Sequence, residues 1–281
     1  MKYLDVERLR QEGTMVTQWD PGQYAKFAGE RSRPFRDLVA QIGASDPRLV
    51  LDLGCGDGPL TLGLSARWPD ARIVGVDSSA TMLATARTHD SGGRVDWVEA
   101  DLTHWDPAAY AGAPDVIVSN ALLQWIPRHL ELLAEWASAL APGGWLAIQV
   151  PGNFGAPSHA LMREIARAHP RRDDLAIALR RPASAEPTTY LQILHRAGLA
   201  TDVWETTYLH VLDRAGEQDD PVLEWVRGTG LRPVLAILTD SAERAAFLEP
   251  YAEALRAAYP RTAAGVVLPF RRVFAVAHRA G

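Results

Sequence analysis

The sequence is nearly without cysteine and lysine, and it lacks any long apolar run. Cys55 is the only cysteine among 281 residues, which excludes a disulfide-stapled scaffold and fits a reducing compartment such as the cytoplasm. Lys2 and Lys26 are the only lysines among 29 basic residues, so arginine supplies nearly all of the positive charge. No segment approaches the ~18 consecutive apolar residues of a membrane span. The N-terminal residues are charged where an export signal would be apolar, so we expect a cytoplasmic protein.

The composition is otherwise that of a globular protein. Apolar residues make up 47% and charged residues 22% of the chain. The length allows one large domain or two small ones. A net charge of −5 gives a field that is unsuited to a general nucleic-acid binder. We therefore expect neither a nucleic-acid nor a membrane partner, and the sequence indicates no particular oligomeric state.

The first half of the chain alternates between strand and helix signals. Short apolar or alternating runs predict strands at 49–53, 72–76, 94–99, 115–119 and 145–150. Segments with helical spacing lie between them at 59–67, 79–88 and 128–140, and Ser78 or Ser79 is the expected N-cap of the second. Buried strands separated by helices indicate a parallel sheet with helices on both faces. The predicted class is α/β, with a Rossmann-like sheet.

After Pro151 the pattern is less regular. Helices are predicted at 157–169, 188–197, 221–228 and 240–258, strands at 201–211 and 266–277, and a loop in the Arg- and Pro-rich segment 171–187. We expect one domain over residues 15–281. Its cofactor core spans about 45–151, and insertions at about 152–200 and 212–264 form a helical cover. Residues 1–14 are expected to be a leader outside this domain, either upstream sequence or a disordered segment.

A glycine-rich loop is the strongest local signal. Residues 51–58 read Leu-Asp-Leu-Gly-Cys-Gly-Asp-Gly, between an apolar strand and a helix. Such glycines let the backbone turn sharply and approach a ligand closely. A dinucleotide-binding loop would have a third glycine at the position of Pro59. The acid Asp52 would repel a pyrophosphate but suits the ammonium and sulfonium of S-adenosylmethionine.

Polar residues also follow the next three strands. Asp77 ends the second strand, where an acid can accept hydrogen bonds from both ribose hydroxyls. Asp101 follows the third strand and can accept from an adenine amino group, and Asn120 follows the fourth, beside the expected methionine moiety. Taken singly, each acid reads as a helix cap or a solvated residue. Their joint position at successive strand ends predicts one cofactor site.

Residues 51–150 resemble the class I S-adenosylmethionine-dependent methyltransferases. The flanking residues, from about 17 to 278, resemble one family among them, the trans-aconitate 2-methyltransferases. The most diagnostic segments are Trp204-Glu205-Thr206-Thr207-Tyr208-Leu209-His210 and Gly228-Thr229-Gly230-Leu231-Arg232-Pro233. Further matching segments are Trp19-Asp20-Pro21, Glu30-Arg31-Ser32-Arg33-Pro34, Ser119-Asn120-Ala121-Leu122-Leu123-Gln124-Trp125, Val150-Pro151-Gly152-Asn153 and Pro269-Phe270-Arg271-Arg272.

The resemblance implies an O-methyltransferase that esterifies one carboxylate of trans-aconitate and releases S-adenosylhomocysteine. The implied cofactor, S-adenosyl-L-methionine, is assigned to Asp52, Gly54, Gly56, Asp77, Ser78, Met82, Asp101, Leu102 and Asn120. The small tricarboxylate is assigned to Tyr24, Arg31, Arg33, Trp125, Asn153, Tyr190, Tyr208, His210, Arg232 and Arg272. Arginine forks suit carboxylates, although Arg31 or Arg33 could instead hold the carboxylate of the cofactor. For any single arginine, a surface salt bridge is an equally good interpretation.

No catalytic side chain and no metal ligand are predicted. A carboxylic acid with a pKa near ~4 is ionised at neutral pH, so methyl transfer to it needs orientation and desolvation but no general base. No cluster of residues has metal-ligand spacing. Cys55 is interpreted as a small filler of the glycine loop and not as a nucleophile.

Three alternatives stay open. One is a methyltransferase for another small carboxylate or for a natural-product acceptor. A second is an NAD(P)-dependent oxidoreductase, which would need the missing loop glycine and a Tyr/Lys pair, although only Lys2 and Lys26 are available. A third is a non-catalytic S-adenosylmethionine sensor. Turnover of labelled cofactor with a panel of acids discriminates among them.

Overall fold

A computed structural model describes residues 28–103, 105–107, 112–179 and 184–281, without the side chains of residues 28, 30 and 31. The predicted leader at residues 1–14 therefore lies outside the described residues. The strands are β1 (Leu49–Leu53), β2 (Arg72–Asp77), β3 (Val95–Glu99), β4 (Val116–Asn120), β5 (Trp145–Pro151), β6 (Ala200–Leu212), β7 (Arg261–Thr262) and β8 (Gly265–His278). The helices are α1 (Ala28–Val39), α2 (Pro59–Arg67), α3 (Ala80–His89), α4 (His129–Ala139), α5 (Pro157–Ala168), α6 (Arg172–Leu179), α7 (Pro187–Arg196), α8 (Pro221–Arg227), α9 (Arg232–Ile237) and α10 (Ser241–Ala258).

These strands form one sheet in the order β3-β2-β1-β4-β5-β8-β6, and β7 pairs with β8. Strands β1 to β5 are mutually parallel, whereas β8 runs antiparallel to β5. All five residues of β1 are buried, as expected for a central strand that is covered on both faces. The sheet confirms the predicted Rossmann-like α/β class. The strand order reverses between β1 and β4, which is where such sheets bind ligands.

The chain divides into two compact units. We call residues 28–152, 184–206 and 271–281, within the described ranges, the core unit. Its hydrophobic core joins apolar side chains of the five parallel strands to α4 and α7, with Trp136 and Tyr190 as its largest fully buried members. The predicted cofactor residues from Asp52 to Asn120 all belong to this unit.

We call the described residues 153–179 and 207–270 the insert unit. Within it, α5 packs against α6 and α10, and α6 packs against α9. The Tyr251 hydroxyl donates to the Ser158 carbonyl at 2.8 Å, and the Ser158 N–H donates to the Tyr259 hydroxyl at 3.0 Å. In the described part of the chain, no helix has the length and apolarity needed to cross a membrane. The proposed division into one domain and a cover stays a prediction.

The loop expected at 171–187 is wrong for its first half, because residues 172–179 form α6. Leu175 and Ala178 are buried one turn apart, and Asp173 lies in the first turn, where a negative charge favours the helix. Arg171 pairs with Asp174 at 2.8 Å. Burial against neighbouring helices therefore outweighs the loop-like composition. Helices α1 and α9 have no counterpart among the sequence predictions.

Candidate functional site

The glycine loop leaves β1 in conformations that suit glycine. Gly54 has φ 85°, and its N–H donates to the Val76 carbonyl of β2 at 2.8 Å. A Cβ atom at this position would lie 2.8 Å from the Leu122 Cβ, so a side chain is excluded. The loop is thereby held close to the ends of β2 and β4. The following residues lead directly into α2, whose N-terminus faces the loop.

Asp77 is held at the end of β2 by backbone donors. Its Oδ2 accepts from the Gly56 N–H at 3.0 Å, and its Oδ1 accepts from the Ser79 N–H at 2.9 Å. Burial raises the pKa of this carboxyl group. Because each carboxylate oxygen has more than one lone pair, the group can still accept from a ribose diol. The contact with Gly56 joins Asp77 to the glycine loop, and its binding of the ribose stays a prediction.

The start of α3 distinguishes the two serines that follow. Ser79 is the N-cap, since its hydroxyl accepts from the Met82 N–H at 3.3 Å. Ser78, predicted to contact the cofactor, is exposed beside the Asp77 carboxylate. The Met82 side chain, predicted for the same site, is buried with 3% of its surface exposed.

Asp52 is a buried acid on the central strand. Only 2% of its surface is exposed, and its Oδ2 accepts from the Thr61 hydroxyl at 2.6 Å. Burial raises the pKa of Asp52 to about 7, and the Thr61 hydrogen bond opposes that rise. Thr61 was not among the site residues predicted from the sequence, although a hydroxyl in the first helical turn after a glycine loop is a recognisable signal. A neighbouring cation would stabilise the ionised form of this acid.

The third and fourth strand ends differ in exposure. Asp101 is exposed, and its Oδ1 accepts from both the backbone N–H and the hydroxyl of Thr103, at 2.9 and 2.6 Å. Leu102 is buried beside it. At the end of β4, the Oδ1 of Asn120 is buried and has no hydrogen-bond partner among the described residues. A buried acceptor of this kind fits a donor such as an ammonium.

Cys55 has the surroundings of a filler. It is buried in the glycine loop, and its sulfur lies 3.2 Å from where a Cβ on Gly75 would be. Burial and the nearby Asp52 raise the pKa of the thiol well above its usual range. A neutral thiol is a poor nucleophile.

Two consecutive arginines on β8 have different partners. Arg271 pairs with Glu186 at 2.7 Å and with Glu205 at 2.5 Å, and the two carboxylates raise its pKa. Arg272 is 5% exposed, and its Nη1 donates to the Oε1 of Gln149 on β5 at 3.0 Å. Gln149 was also missed, although a polar residue inside the apolar run 145–150 is a signal that could have found it.

Other substrate candidates in the core unit have less suitable surroundings. Arg33 is exposed on α1, with its Nε 3.8 Å from the Asp37 carboxylate. Trp125 is half-buried in a short 3-10 helix over Leu123–Trp125. The Tyr190 ring is fully buried in the hydrophobic core. Its hydroxyl accepts from the Ala185 N–H at 3.1 Å, and burial raises its pKa to about 12. Tyr190 therefore packs the core, and its contact with the substrate stays a prediction.

The remaining candidates lie in the insert unit or outside the description. Tyr208 and His210 are buried and stacked, with ring centroids 6.3 Å apart, and His210 also stacks on Trp225 at 4.8 Å. Asn153 is buried in the same unit, and Arg232 is half-buried at the start of α9. The predicted residues that lie outside the described part are Tyr24 and the side chain of Arg31.

Comparisons with known proteins agree with this geometry. The family described as a methyltransferase domain matches residues 50–144. The chain is similar in fold to a phosphoethanolamine N-methyltransferase of Haemonchus contortus bound to S-adenosylhomocysteine, with 16% identity, a TM-score of 0.51, and coverage of 89% of this chain and 53% of the other. It is also similar to the YcgJ protein of Bacillus subtilis, with 12% identity, a TM-score of 0.55, and coverage of 89% and 99%.

Curated relatives match nearly the whole chain. A trans-aconitate 2-methyltransferase of Streptomyces avermitilis is 51% identical over 94% of this chain and 98% of its own length. Another, from Streptomyces coelicolor, is 52% identical over 93% of this chain and 86% of its own length. One from Mycobacterium tuberculosis is 44% identical over 94% of this chain and 97% of its own length.

The fold and the acid-lined strand ends define a class I S-adenosylmethionine-dependent methyltransferase. Within that class, the chain belongs to the trans-aconitate 2-methyltransferase family, and the predicted resemblance is confirmed.

Proposed function

We propose that this chain transfers a methyl group from S-adenosylmethionine to one carboxylate of trans-aconitate, giving the monomethyl ester and S-adenosylhomocysteine. The observation that carries the proposal is the similarity to trans-aconitate 2-methyltransferases over 94% of the chain, at 51% identity in one case. The match extends through the insert unit, whereas the general methyltransferase family matches only residues 50–144. Segments outside the shared core are where acceptor specificity belongs.

The described strand ends suit S-adenosylmethionine, which when bound supplies a sulfonium-borne methyl group for in-line displacement by a carboxylate oxygen. Asp77 would hold the ribose diol, and the exposed Asp101 would accept from the adenine amino group. Asp52 and the buried Oδ1 of Asn120 would face the cationic methionine end, as their acceptor chemistry supports. Gly56 leaves room for close approach of the cofactor, since a Cβ atom at this position would meet nothing within 4 Å.

The substrate, trans-aconitate, requires hydrogen-bond donors and not a general base. With a pKa near ~4, its carboxyl groups are ionised at neutral pH, so no proton has to be removed before transfer. The task of the chain is to orient the carboxylates and to exclude water. In the core unit, Arg272 is the best candidate for holding one of them, since it is buried and anchored by Gln149. In the insert unit, Arg232 and His210 stay candidates.

We place this reaction in the cytoplasm, since a single buried thiol suits a reducing compartment. A non-catalytic role in sensing the cofactor is the alternative of a different class. The two differ in whether product forms at all.

The test is turnover of methyl-labelled S-adenosylmethionine by the purified chain. The acceptor panel contains trans-aconitate, cis-aconitate, isocitrate, citrate and a dimethyl ester of trans-aconitate, which keeps one free carboxylate. We expect monomethyl trans-aconitate and S-adenosylhomocysteine in equal amounts, with trans-aconitate preferred by kcat/KM. Faster turnover of the dimethyl ester would overturn the tricarboxylate proposal. Cofactor binding without product from any acceptor would favour a sensor.

A further inference from the structure

The chain turns at the end of β4 through a strained residue. Ala121 follows β4 directly and has φ 57°, in the left-handed region. In this region the Cβ atom of an L-residue crowds a neighbouring carbonyl oxygen, so glycine is favoured there. Among the described residues, Asp213 in the insert unit is the only other non-glycine residue with a positive φ. Since the alanine methyl group forms no hydrogen bond, neighbouring groups must hold this conformation.

Two hydrogen bonds hold the backbone of Ala121. Its N–H donates to the Gln149 carbonyl of β5 at 2.9 Å, and its carbonyl oxygen accepts from the Gln124 Nε2 at 2.5 Å. The first bond joins two backbone groups, so it does not depend on a side chain. The second requires an amide at position 124. Gln124 is 6% exposed, so little water competes for this bond.

The same amide leaves a buried oxygen without a partner. Because a carbonyl oxygen only accepts, the Gln124 nitrogen must face Ala121, and the Oε1 atom is directed away from it. This Oε1 and the Oδ1 of Asn120 are the two buried side-chain oxygens of the described residues that have no hydrogen-bond partner. Such atoms are nearly always paired in folded proteins. Segment 120–124 therefore calls for a ligand that carries hydrogen-bond donors.

The position of Asn120 on the sheet indicates which donors suit it. Val118 is directly opposite Asp52 on β1, and Asn120 lies two residues further along β4. Directly paired residues share a face of a sheet, and so do residues two apart on one strand. Asp52 and Asn120 therefore project to the same face, which carries both an acid and an acceptor without a partner. An ammonium group suits this pair, because it has three donors and a positive charge.

We propose that Gln124 is a positioning residue for the cofactor: its amide holds Ala121 in the left-handed turn that presents the Asn120 oxygen to the ammonium end of S-adenosylmethionine. This inference rests on the proposed function, because it assigns a role at the same cofactor site. It gives a reason for a buried amide in the short 3-10 helix over Leu123–Trp125. Gln124 acts through the backbone of Ala121 and not by contact with the reacting atoms.

The decisive variant is Gln124→Met, which keeps the length of the side chain and removes the donor. We expect the dissociation constant for S-adenosylhomocysteine to rise roughly 5- to 20-fold, the effect of releasing one strained residue. The dissociation constant for methylthioadenosine, which has the adenosine part without the ammonium, should stay within about twofold of wild type. KM for S-adenosylmethionine should rise and KM for trans-aconitate should not. Calorimetry and steady-state kinetics measure these differences.

A second substitution tests whether the turn is the cause. Ala121→Gly removes the strain, because glycine adopts a positive φ without steric cost, and its melting temperature should be unchanged or higher. In this background, Gln124→Met should raise the dissociation constant for S-adenosylhomocysteine by no more than about twofold over Ala121→Gly alone. The same loss in both backgrounds would overturn the role of the turn.

Two further variants complete the set. Gln192→Met makes the same substitution on the exposed surface of α7 and should leave both dissociation constants at their wild-type values. Gln124→Asn keeps the amide but shortens its reach, so it should show the same selective loss for S-adenosylhomocysteine. It keeps the inference testable if Gln124→Met fails to fold.

The failures of the two proposals are distinguishable. If wild type binds S-adenosylhomocysteine but methylates no acid, the proposed function falls, and the binding measurements still decide the role of Gln124. If wild type methylates trans-aconitate and a folded Gln124→Met binds both ligands as wild type does, only the role of Gln124 is overturned. A lower melting temperature with equal losses for both ligands would indicate a purely structural role and would likewise overturn it.

Discussion

Two parts of the same sheet carry charged side chains of opposite sign, and in both parts neutral groups form hydrogen bonds to these side chains. At β1 and β2, Asp52 and Asp77 accept hydrogen bonds from a hydroxyl and from backbone N–H groups. At β5 and β8, Arg272 donates to the neutral amide of Gln149. Arg271, one residue away, is instead paired with two carboxylates. Neutral groups therefore orient the two acids and contact Arg272, whereas Arg271 is paired with carboxylates.

The largest expected effect separates the two arginines. Replacing Arg272 by Ala should lower kcat/KM for trans-aconitate. The expected loss of transition-state binding is about 2–5 kcal/mol, the cost of truncating a buried charge pair. Cofactor affinity should stay near wild type. The matched control is Arg271→Ala, which breaks pairs to Glu186 and Glu205 that are 68% and 51% exposed, so stability should change by about 0–1 kcal/mol. Equal losses of kcat/KM in both variants would end the distinction.

The next effect concerns the acidic end and its pH dependence. Asp52 has a pKa of about 7 in the folded chain and roughly 3.9 when unfolded. Between these values the folded state keeps a proton that the unfolded state has lost. Stability should therefore fall as pH rises from about 4 to 7, by up to about 4 kcal/mol from this one group. Urea titrations at several pH values between about 4 and 7 measure the free energy of unfolding. In Asp52→Asn this free energy should not fall over that range as it does in wild type. The same pH dependence in the variant and in wild type would contradict the effect of burial.

The smallest of the three effects concerns Asp77. Asp77→Ala should weaken S-adenosylmethionine binding by about 1.5–3 kcal/mol, the range for losing hydrogen bonds to a charged group. The fold should survive, since the residue lies at a strand end. Calorimetry on this variant and on Asp70→Ala, an exposed acid in the turn before β2, measures the difference. Unchanged affinity in a folded Asp77→Ala would remove the ribose assignment.

Local patterns predicted most of the elements around the cofactor. Strand β1 and helix α2 match their predicted bounds, because an apolar run, a glycine loop and a helix-forming segment are all local signals. The prediction failed at α6, where Leu175 and Ala178 are helical only by virtue of the neighbours that bury them. It also failed to detect α1 and α9. In these places contacts between distant segments decide the structure.

The candidate site divides in the same way. Asp77 and the glycine loop were predicted together because both follow strands that are parallel and adjacent. Thr61 was missed, although it is only nine residues from Asp52. Tyr190 was assigned to the substrate from its chemistry, yet its surroundings are those of a core residue. A tyrosine looks the same in sequence whether it contacts a ligand or packs the core, since burial is a property of the assembled chain.

By itself, the sequence determined the α/β class, the cofactor loop, the acids at the strand ends and the family, because each depends on local spacing or on residue identity. Only the tertiary structure decided that Arg271 pairs with two carboxylates and that Arg272 donates to an amide. Arg272 and Gln149 are 123 residues apart and meet because β8 runs antiparallel beside β5. Alternation along β8 then sends Arg271 and Arg272 to opposite faces, where they meet carboxylates in one case and an amide in the other.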